Sequence, residues 1–193
     1  MNRENLINIA FALTGSFCTI REILPQMKKI AGSNANVIPI MSEAVYCTDT
    51  RFFAAEELRN EIKAITGNEI IHTIVGAEPI GPKMLADLMV IAPCTGNTLN
   101  KIANGINDTA VTMAAKSALR NEIPVVISVS TNDGLSSSAM SIGALLNRKH
   151  IYFVPFRQDD PIIKSRSTIA DSSLIIPAMK EALNGRQLQP ILM

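Results

Sequence analysis

Runs of apolar residues alternate along the chain with segments whose apolar residues recur at helical spacing. The apolar runs predict strands at residues 6–13, 37–41, 88–92, 124–129 and 151–155. The spacing predicts helices at residues 19–31, 51–66, 99–106, 110–121 and 140–147, and a last helix from Ser167 or Thr168 that Gly185 ends. Apolar runs bounded by breakers are typical of strands buried on both faces of a parallel sheet. The alternation predicts an α/β fold: a three-layer, doubly wound, mostly parallel sheet, Rossmann or flavodoxin-like, in a single domain of residues 1–193.

Several local features refine this prediction. Pro25 lies inside the first predicted helix and should kink it, because an interior proline costs a helix about 3 kcal/mol. Residues 69–75 are typical of a short strand. Phe52 and Phe53 belong to an apolar helical stripe, which favours a core or interface position over a stacking platform. Residues 151–155 are expected to be the last strand, and the segment 156–167 that follows is polar.

Small polar residues follow the predicted strands at the points where the strands end. The carboxyl ends of parallel strands meet at one edge of a sheet, which is where open α/β sheets bind ligands. The candidate binding residues at these ends are Thr14, Gly15, Ser16, Ser42, Pro93, Thr95, Gly96, Asn97, Thr98 and Thr131. They offer hydroxyls, glycines and amides but few charges.

The spacing of these residues narrows the class of ligand. The Gly15–Ser16 junction between the first strand and helix could hold a phosphate on helix N–H groups, or it could be a plain tight turn. It matches neither GxGxxG nor GxxxxGK[ST], and no carboxylate follows about twenty residues later to bind a ribose, which argues against NAD. Flavin mononucleotide (FMN) fits neutral donors: it has one phosphate, an apolar ring and hydrogen-bonding edges.

Composition excludes other classes of partner. The chain has 18 basic and 17 acidic residues, so no charge excess favours nucleic acid or a membrane surface. The first apolar run spans about 8 residues, short of the ~20 that cross a bilayer. Hydrophobic residues make up 47% of the chain, which favours burial in a homo-oligomer. Three cysteines without a CxxC pair, and two histidines, favour reduced thiols in the cytoplasm and no metal site.

Two further sets of residues allow both a chemical and a structural interpretation. His72 could act as a general base, but no acidic residue lies nearby in sequence to orient it, which favours a structural role. Asp159 and Asp160 could be paired acid and base carboxylates, but adjacent residues of a strand point to opposite faces, which favours a turn before Pro161.

The strand-end motifs resemble a known flavoprotein family that includes flavin-dependent cysteine decarboxylases and flavin prenyltransferases. The resemblance is carried by Thr-Gly-Ser at residues 14–16, by Ser42, and by Ala-Pro-Cys-Thr-Gly-Asn-Thr at residues 92–98 followed by Lys-Ile-Ala at residues 101–103. The family pattern is a small-residue turn after the first strand, then a PASANT-like turn before a K-I-A helix. The resemblance implies an FMN site in which Asn97 lies near the reactive ring face, in a positioning or hydrogen-bonding role.

Other segments resemble one subgroup of the family along the whole chain. They are Thr-Arg-Phe at 50–52, Ala-Glu-Pro-Ile-Gly-Pro-Lys at 77–83, Met-Ala-Ala-Lys at 113–116, Ser-Thr-Asn-Asp at 130–133, Pro-Phe-Arg-Gln-Asp-Asp-Pro at 155–161 and Gln-Leu-Gln-Pro-Ile-Leu at 187–192. The subgroup implies an oxidoreductase component that works with a separate nucleotide-binding A subunit on a small dicarboxylate. The implied reaction oxidises a dihydrodipicolinate-level precursor to dipicolinate in the mother cell of a sporulating bacterium. Candidates to bind the carboxylates are Arg51, Lys83, Arg120 and Arg157.

Two departures from the family pattern argue against cysteine decarboxylation. Counting back from Ala86 and Asp87, Pro79 stands where the decarboxylases have their catalytic histidine, and His72 lies seven residues too early. Residues 130–133 replace the decarboxylase Pro-x-Met-Asn loop. Two alternatives remain beside the oxidoreductase: a non-catalytic flavodoxin-like scaffold that stabilises or regulates the A subunit, and a flavin-dependent decarboxylase that uses His72.

Overall fold

Seven strands form one mixed, mostly parallel sheet. The computed structural model describes residues 6–193, so the first five residues of the predicted domain lie outside the described part. The strands are β1 Ile7–Leu13, β2 Ala35–Met41, β3 Leu88–Cys94, β4 Val125–Thr131, β5 Ile151–Phe153, β6 Phe156–Asp160 and β7 Lys164–Ala170. Every residue of β3 is buried, as its continuous apolar run predicts for a central strand.

The order of the strands is β2-β1-β3-β4-β7-β6, with β5 also beside β4. Strands β1 to β5 pair in parallel, whereas β7 is antiparallel to both β4 and β6. The chain steps from β1 to β2 on one side and from β3 to β4 and β5 on the other. A topological switch point therefore lies between β1 and β3, where such sheets form a crevice for a ligand. The predicted fold class is confirmed.

The helices contact the sheet in two groups. The helices are α1 Phe17–Ala31, α2 Glu43–Cys47, α3 Ala55–Thr66, α4 Ile74–Ala77, α5 Gly96–Ala103, α6 Ala110–Arg120, α7 Ala139–Leu146 and α8 Ile175–Leu183, with 3₁₀ turns at Glu78–Ile80 and Ser172–Leu174. Helices α1, α3 and α8 form one group and α5, α6 and α7 the other. Helix α1 continues through Pro25, although the sequence predicts a kink there.

Helix α3 begins four residues later than predicted because side chains upstream hold a turn. The backbone N–H groups of Phe52 and Phe53 donate to Thr50 Oγ1 over 3.2 and 3.3 Å, and Ala55 N donates to Asp49 Oδ1 over 2.8 Å. Such local bonds compete with helix formation. Phe53 is buried in the core, whereas 38% of Phe52 is exposed, so the interface position that the sequence also allows for Phe52 stays a prediction.

Three other predictions of local structure are wrong. Within residues 69–75 only Ile71 pairs, as a single bridge with Ile40, and Thr73 then caps α4 by accepting from Gly76 N. The strand predicted to be the last is followed by a hairpin, β6 and β7, in which Asp160 accepts the N–H groups of Ile162 and Ile163. Strand β7 occupies the predicted start of the final helix, so α8 begins at Ile175.

Candidate functional site

A cleft of about 700 Å³ lies at the carboxyl ends of β1, β3 and β4, beside the switch point. Its walls come from the turns after these strands, from the start of α1, from residues 51–52 and from the β6–β7 hairpin. The lining residues are Gly15, Ser16, Phe17, Cys18, Thr19, Glu22, Arg51, Phe52, Thr95, Gly96, Asn97, Ser130, Thr131, Asn132, Asp133, Asp159, Lys164, Ser167, Thr168 and Ile169. We refer to this site as the main cleft.

Thr14 ties together the two turns that face each other across the switch point. Its hydroxyl donates to the carbonyl of Pro93 over 2.8 Å and accepts from the backbone N–H of Thr95 over 2.9 Å. Its own N–H donates to the same Pro93 carbonyl over 3.2 Å. Thr14 is 1% exposed, so these buried polar groups satisfy one another and fix the distance between the ends of β1 and β3.

Three hydroxyls meet at the start of α1. Ser130 Oγ lies 2.7 Å from Ser16 Oγ and 2.7 Å from Thr19 Oγ1, and these two are 3.3 Å apart. Ser16 precedes α1 but its side chain does not cap the helix. The first N–H groups of a helix have no partner within it and carry the positive end of its dipole. Ser16, Thr19 and Ser130, which we call the hydroxyl cluster, thus border a set of neutral donors suited to an anion.

A second cluster of polar groups surrounds Asp133, next to Gly96. Asp133 Oδ1 accepts from Thr131 Oγ1 over 2.5 Å and from Ser138 Oγ over 2.8 Å, and its Oδ2 accepts from Ser137 Oγ over 2.5 Å. Burial opposes ionisation, but the bonds from Ser137, Thr131 and Ser138 outweigh it and hold the pKa of Asp133 below its ordinary value. Because Thr131 gives its proton to Asp133, its hydroxyl can only accept from a ligand in the main cleft.

Gly96 is required by this packing. A Cβ at this position would lie 2.5 Å from Asp133 Oδ1, 2.6 Å from Thr131 Oγ1 and 2.7 Å from Ser138 Oγ. Without a side chain, the first turn of α5 approaches the Asp133 cluster closely. Thr95 caps the same helix, since its Oγ1 accepts from Thr98 N over 3.3 Å.

The charges of the main cleft are mixed. The β6–β7 hairpin brings Lys164 into an ion pair with Asp159, with 2.6 Å between Nζ and Oδ2. Arg51 lies over the ring of Phe52, with 4.8 Å between its Cζ and the ring centroid. Of the four basic residues that the sequence suggests for carboxylate binding, the main cleft contains Arg51, whereas Lys83, Arg120 and Arg157 do not line it.

The structure brings six of the ten predicted binding residues to the main cleft. Gly15, Ser16, Thr95, Gly96, Asn97 and Thr131 line it. The other four do not line it. Thr14 and Pro93 hold its walls in place, Thr98 is buried at the start of α5, and Ser42 has a buried Oγ with no partner among the described residues.

Sequence reasoning missed the contributions of Thr19, Ser130 and the hairpin. Thr19 lies one helical turn after Ser16, and Ser130 is adjacent to the predicted Thr131, so both could be found by extending the strand-end argument. The hairpin residues carry no such signal, because their strands are polar and exposed.

His72 does not line the main cleft. Its ring stacks on that of Tyr46 with centroids 3.8 Å apart, which agrees with the structural role favoured from the sequence. Pro79, at the position of the decarboxylase histidine, lies in the 3₁₀ turn Glu78–Ile80. Neither residue supplies a base to the main cleft.

A sequence model of the family described as "Flavoprotein" matches residues 2–156. The chain belongs to the flavoprotein family. It is 45% identical over 184 residues to the B subunit of dipicolinate synthase from Bacillus subtilis (strain 168), an alignment that covers 95% of this chain and 92% of that protein. The resemblance seen in the sequence, to this flavoprotein subgroup, is confirmed.

Two solved structures have the same fold as this chain. The crystal structure of the dipicolinate synthase B subunit from Bacillus halodurans C superposes with a TM-score of 0.89 at 44% identity, covering 98% of both chains. Burkholderia xenovorans DmrB in complex with FMN gives a TM-score of 0.68 at 17% identity, covering 94% of this chain and 97% of that one, which shows a shared fold. Among residues 6–193, no helix combines the length and apolarity needed to cross a membrane.

Proposed function

We propose that this chain is the B subunit of a dipicolinate synthase and binds FMN in its main cleft. Together with a nucleotide-binding A subunit, it takes part in the oxidation of a dihydrodipicolinate-level precursor to dipicolinate during sporulation. The observation that carries the proposal is the hydroxyl cluster at the start of α1, which lies beside the switch point in a chain of the flavoprotein family. We propose that the cytoplasm of the mother cell is the place of action and that the chain forms a homo-oligomer.

The phosphate end of the flavin fits the hydroxyl cluster. Ser16, Thr19 and Ser130 share their protons in bonds of 2.7 to 3.3 Å with one another, and a phosphate bound beside them would accept these protons instead. Helix α1 is 15 residues long, so the positive end of its dipole adds to these donors. Gly15 exposes backbone next to the cluster without a side chain. A phosphate is thus held by neutral groups rather than by a lysine.

The ring end of the flavin fits the wall formed by Thr95, Gly96 and Thr131. Thr131 offers only an acceptor there, because Asp133 takes its proton over 2.5 Å. The Thr131 hydroxyl oxygen can therefore accept a hydrogen bond from an N–H group at the edge of the flavin ring. Asn97 is exposed and lies in the first turn of α5, next to Gly96, so its amide can orient a substrate on the ring. Asn97 is neutral, and we assign it hydrogen bonding rather than proton transfer.

When bound, FMN supplies an acceptor for the two electrons that leave the dihydro precursor. The chain's own residues bind and orient: the hydroxyl cluster holds the phosphate, Thr131 fixes the ring edge and Asn97 positions the substrate. Arg51 is placed to contact one substrate carboxylate, since it lines the main cleft and makes no ion pair among the described residues.

Spectroscopy tests the flavin part of the proposal. We expect purified protein to bind FMN with a shift of the flavin absorbance bands, and Ser130→Ala to weaken this binding, because it removes the hydroxyl that joins Ser16 to Thr19. Ser173→Ala, which alters an exposed serine bonded to Asp171, is the matched control. A protein that is colourless after incubation with excess FMN and removal of the free flavin by gel filtration would overturn the flavin site.

Reconstitution with the A subunit tests catalysis. Dipicolinate formation is measured by chromatography for wild type and for Asn97→Ala. We expect the variant to bind FMN normally and to lose most of its rate, because the substrate is no longer oriented on the ring. If it binds FMN and keeps full activity, Asn97 takes no part in the reaction.

A non-catalytic scaffold is the second candidate function. It is favoured by Pro79 and by the distance of His72 from the main cleft, since no histidine serves as a base there. The scaffold would stabilise the A subunit, so that dipicolinate formation needs the chain but survives Asn97→Ala and Ser130→Ala together. The same reconstitution separates the two functions.

A further inference from the structure

A second cleft, of about 400 Å³, concentrates positive charge on the other edge of the sheet. It is lined by Lys116, Arg120, Arg148, Lys149 and His150, together with apolar and neutral residues of α5, α6 and the loop between them. We call it the basic cleft. It lies where β4 and β5 begin, since Val125 N donates to the carbonyl of His150, whereas the main cleft lies where the strands end. The two clefts share no lining residue.

The cations of the basic cleft have no counter-charge among the described residues. Lys116, Arg120, Arg148 and Lys149 form no ion pair within residues 6–193, and no carboxylate lines the cleft. The nearby Asp108 is occupied, because Lys101 Nζ lies 2.8 and 2.9 Å from its two oxygens. The whole chain has 18 basic and 17 acidic residues and is therefore almost neutral. Four basic residues around one cleft thus give a local charge far above the average of the chain.

Part of this cleft is held rigidly. Arg148 donates from Nη1 to the carbonyl of Ile102 over 3.1 Å and from Nη2 to that of Ala103 over 3.2 Å, which anchors the guanidinium at the end of α5. His150 has a backbone φ of 63°, a left-handed conformation that residues other than glycine rarely adopt. Lys116 and Arg120 are one helical turn apart and extend from one face of α6.

Like charges repel one another, so a concave site lined by several cations is stabilised when an anionic ligand binds there. A cleft of 400 Å³ matches a small molecule rather than the flatter and larger contact of a protein partner. Ile102 and Leu119 are the larger apolar residues that line the same cleft. The main cleft differs from it in charge, because Glu22, Asp133 and Asp159 line the main cleft beside Arg51 and Lys164.

We infer that the basic cleft is a second ligand site, which binds a small molecule that carries two carboxylate or phosphate groups. Lys116 and Arg120 contact one anionic group, Arg148 and Lys149 contact the other, and Ile102 and Leu119 lie against the body of the ligand. This site needs neither flavin nor the A subunit, so it stands apart from the function proposed above.

Calorimetric titration of the flavin-free chain in metal-free buffer tests the inference with three probes. Dipicolinate carries two carboxylates, picolinate is the same ring with one, and pyrophosphate represents the phosphates. We expect one-to-one binding of dipicolinate or pyrophosphate, with picolinate at least about tenfold weaker because it lacks one charged contact. The tighter of the two dianions identifies the chemical source of the ligand.

The double substitution Lys116→Gln and Arg120→Gln should weaken binding at least about tenfold. Lys28→Gln with Lys29→Gln is the matched control, because it also removes two exposed cations from a single helix, and it should change binding less than about twofold. Thermal unfolding checks that both variants fold, and Lys149→Gln, in the turn before β5, is the substitute if the first variant does not.

Three results would overturn the inference. The first is the absence of binding by both dianions, and the second is equal binding by the two double variants, which would indicate a general charge effect. The third is loss of binding in Arg51→Gln but not in the α6 variant, which would place the ligand in the main cleft. None of these results depends on FMN, so the flavin proposal can stand or fall separately.

Discussion

At the scale of single residues, Gly96 sets how closely α5 approaches the Asp133 cluster. Gly96→Ala should lower the free energy of unfolding by about 1–3 kcal/mol, because the new Cβ would lie 2.5 to 2.7 Å from three polar atoms. Gly143→Ala is the control: that glycine is also helical but has no atom within 4 Å of the added Cβ, so alanine should stabilise by about 0.5–1 kcal/mol. Urea unfolding measures both. A Gly96→Ala protein as stable as wild type would show that the cluster can move freely.

Asp133 makes a residue-scale prediction about pH. Its pKa is lower in the folded chain than its ordinary value of 3.8, so its ionised form stabilises the fold at pH values well above 3.8, and this contribution is lost as pH falls through the folded-state pKa. We expect Asp133→Asn to be less stable than wild type at pH 7, with a difference that shrinks below pH 4. Denaturant unfolding over pH 3 to 7 measures it, and a difference that grows towards acid would contradict the assignment.

At the scale of elements, helices α5 and α6 each begin at a threonine whose side chain caps the helix, but only the cap of α5 lines the main cleft. Thr95 caps α5 at the main cleft, and Thr109 caps α6 away from it through a reciprocal pair of bonds with Thr112. Thr95→Ala and Thr109→Ala should each cost about 0.5–2 kcal/mol of stability. Only Thr95→Ala should also weaken FMN binding, as absorbance titration would reveal. Equal flavin affinity in both variants would exclude Thr95 from the flavin site.

Elements that carry their own local signal are the ones that the sequence predicts well. The buried strand β3 is marked by its apolar run, Gly67 ends α3 with φ of 68°, and Thr109 caps α6 as expected. The β6–β7 hairpin has no apolar alternation, because most of its residues are exposed, so only the folded chain shows that it reaches the main cleft. Within the site, the strand-end rule finds Ser16 and Thr131 but not Thr168, which arrives on β7.

The late start of α3 shows a different limit. Residues 51–54 have helical spacing, yet bonds to Thr50 and Asp49 hold them in a turn that brings Arg51 and Phe52 to the main cleft. Helical propensity is a weak preference, and a few side-chain bonds to the backbone can reverse it. The sequence therefore suggests Arg51 only as one of four basic candidates, and the folded turn distinguishes it.

At the scale of the whole molecule, the two clefts lie at opposite edges of the sheet and differ in the charges that line them. The main cleft combines hydroxyls with both signs of charge, and the basic cleft carries cations without carboxylates. We place the flavin and its substrate at the first edge and a further ligand with two anionic groups at the second. In this arrangement a separate anionic ligand can bind and dissociate while the flavin stays bound.

Flavin binding should stabilise the entire domain, because the main cleft joins β1, β3, β4 and the β6–β7 hairpin. FMN at about one hundred times its dissociation constant should add about 2.7 kcal/mol to the free energy of unfolding. For a chain of this length, that raises the midpoint of thermal unfolding by about 5–10 °C. Differential scanning calorimetry measures the shift.

Riboflavin separates the contribution of the phosphate from that of the ring. It has the same ring but no phosphate, so at the same concentration it should give a clearly smaller shift than FMN. The difference between the two ligands should shrink in Ser130→Ala, because the hydroxyl cluster has then lost its central member. Equal shifts for both ligands in wild type would mean that the start of α1 does not hold the phosphate.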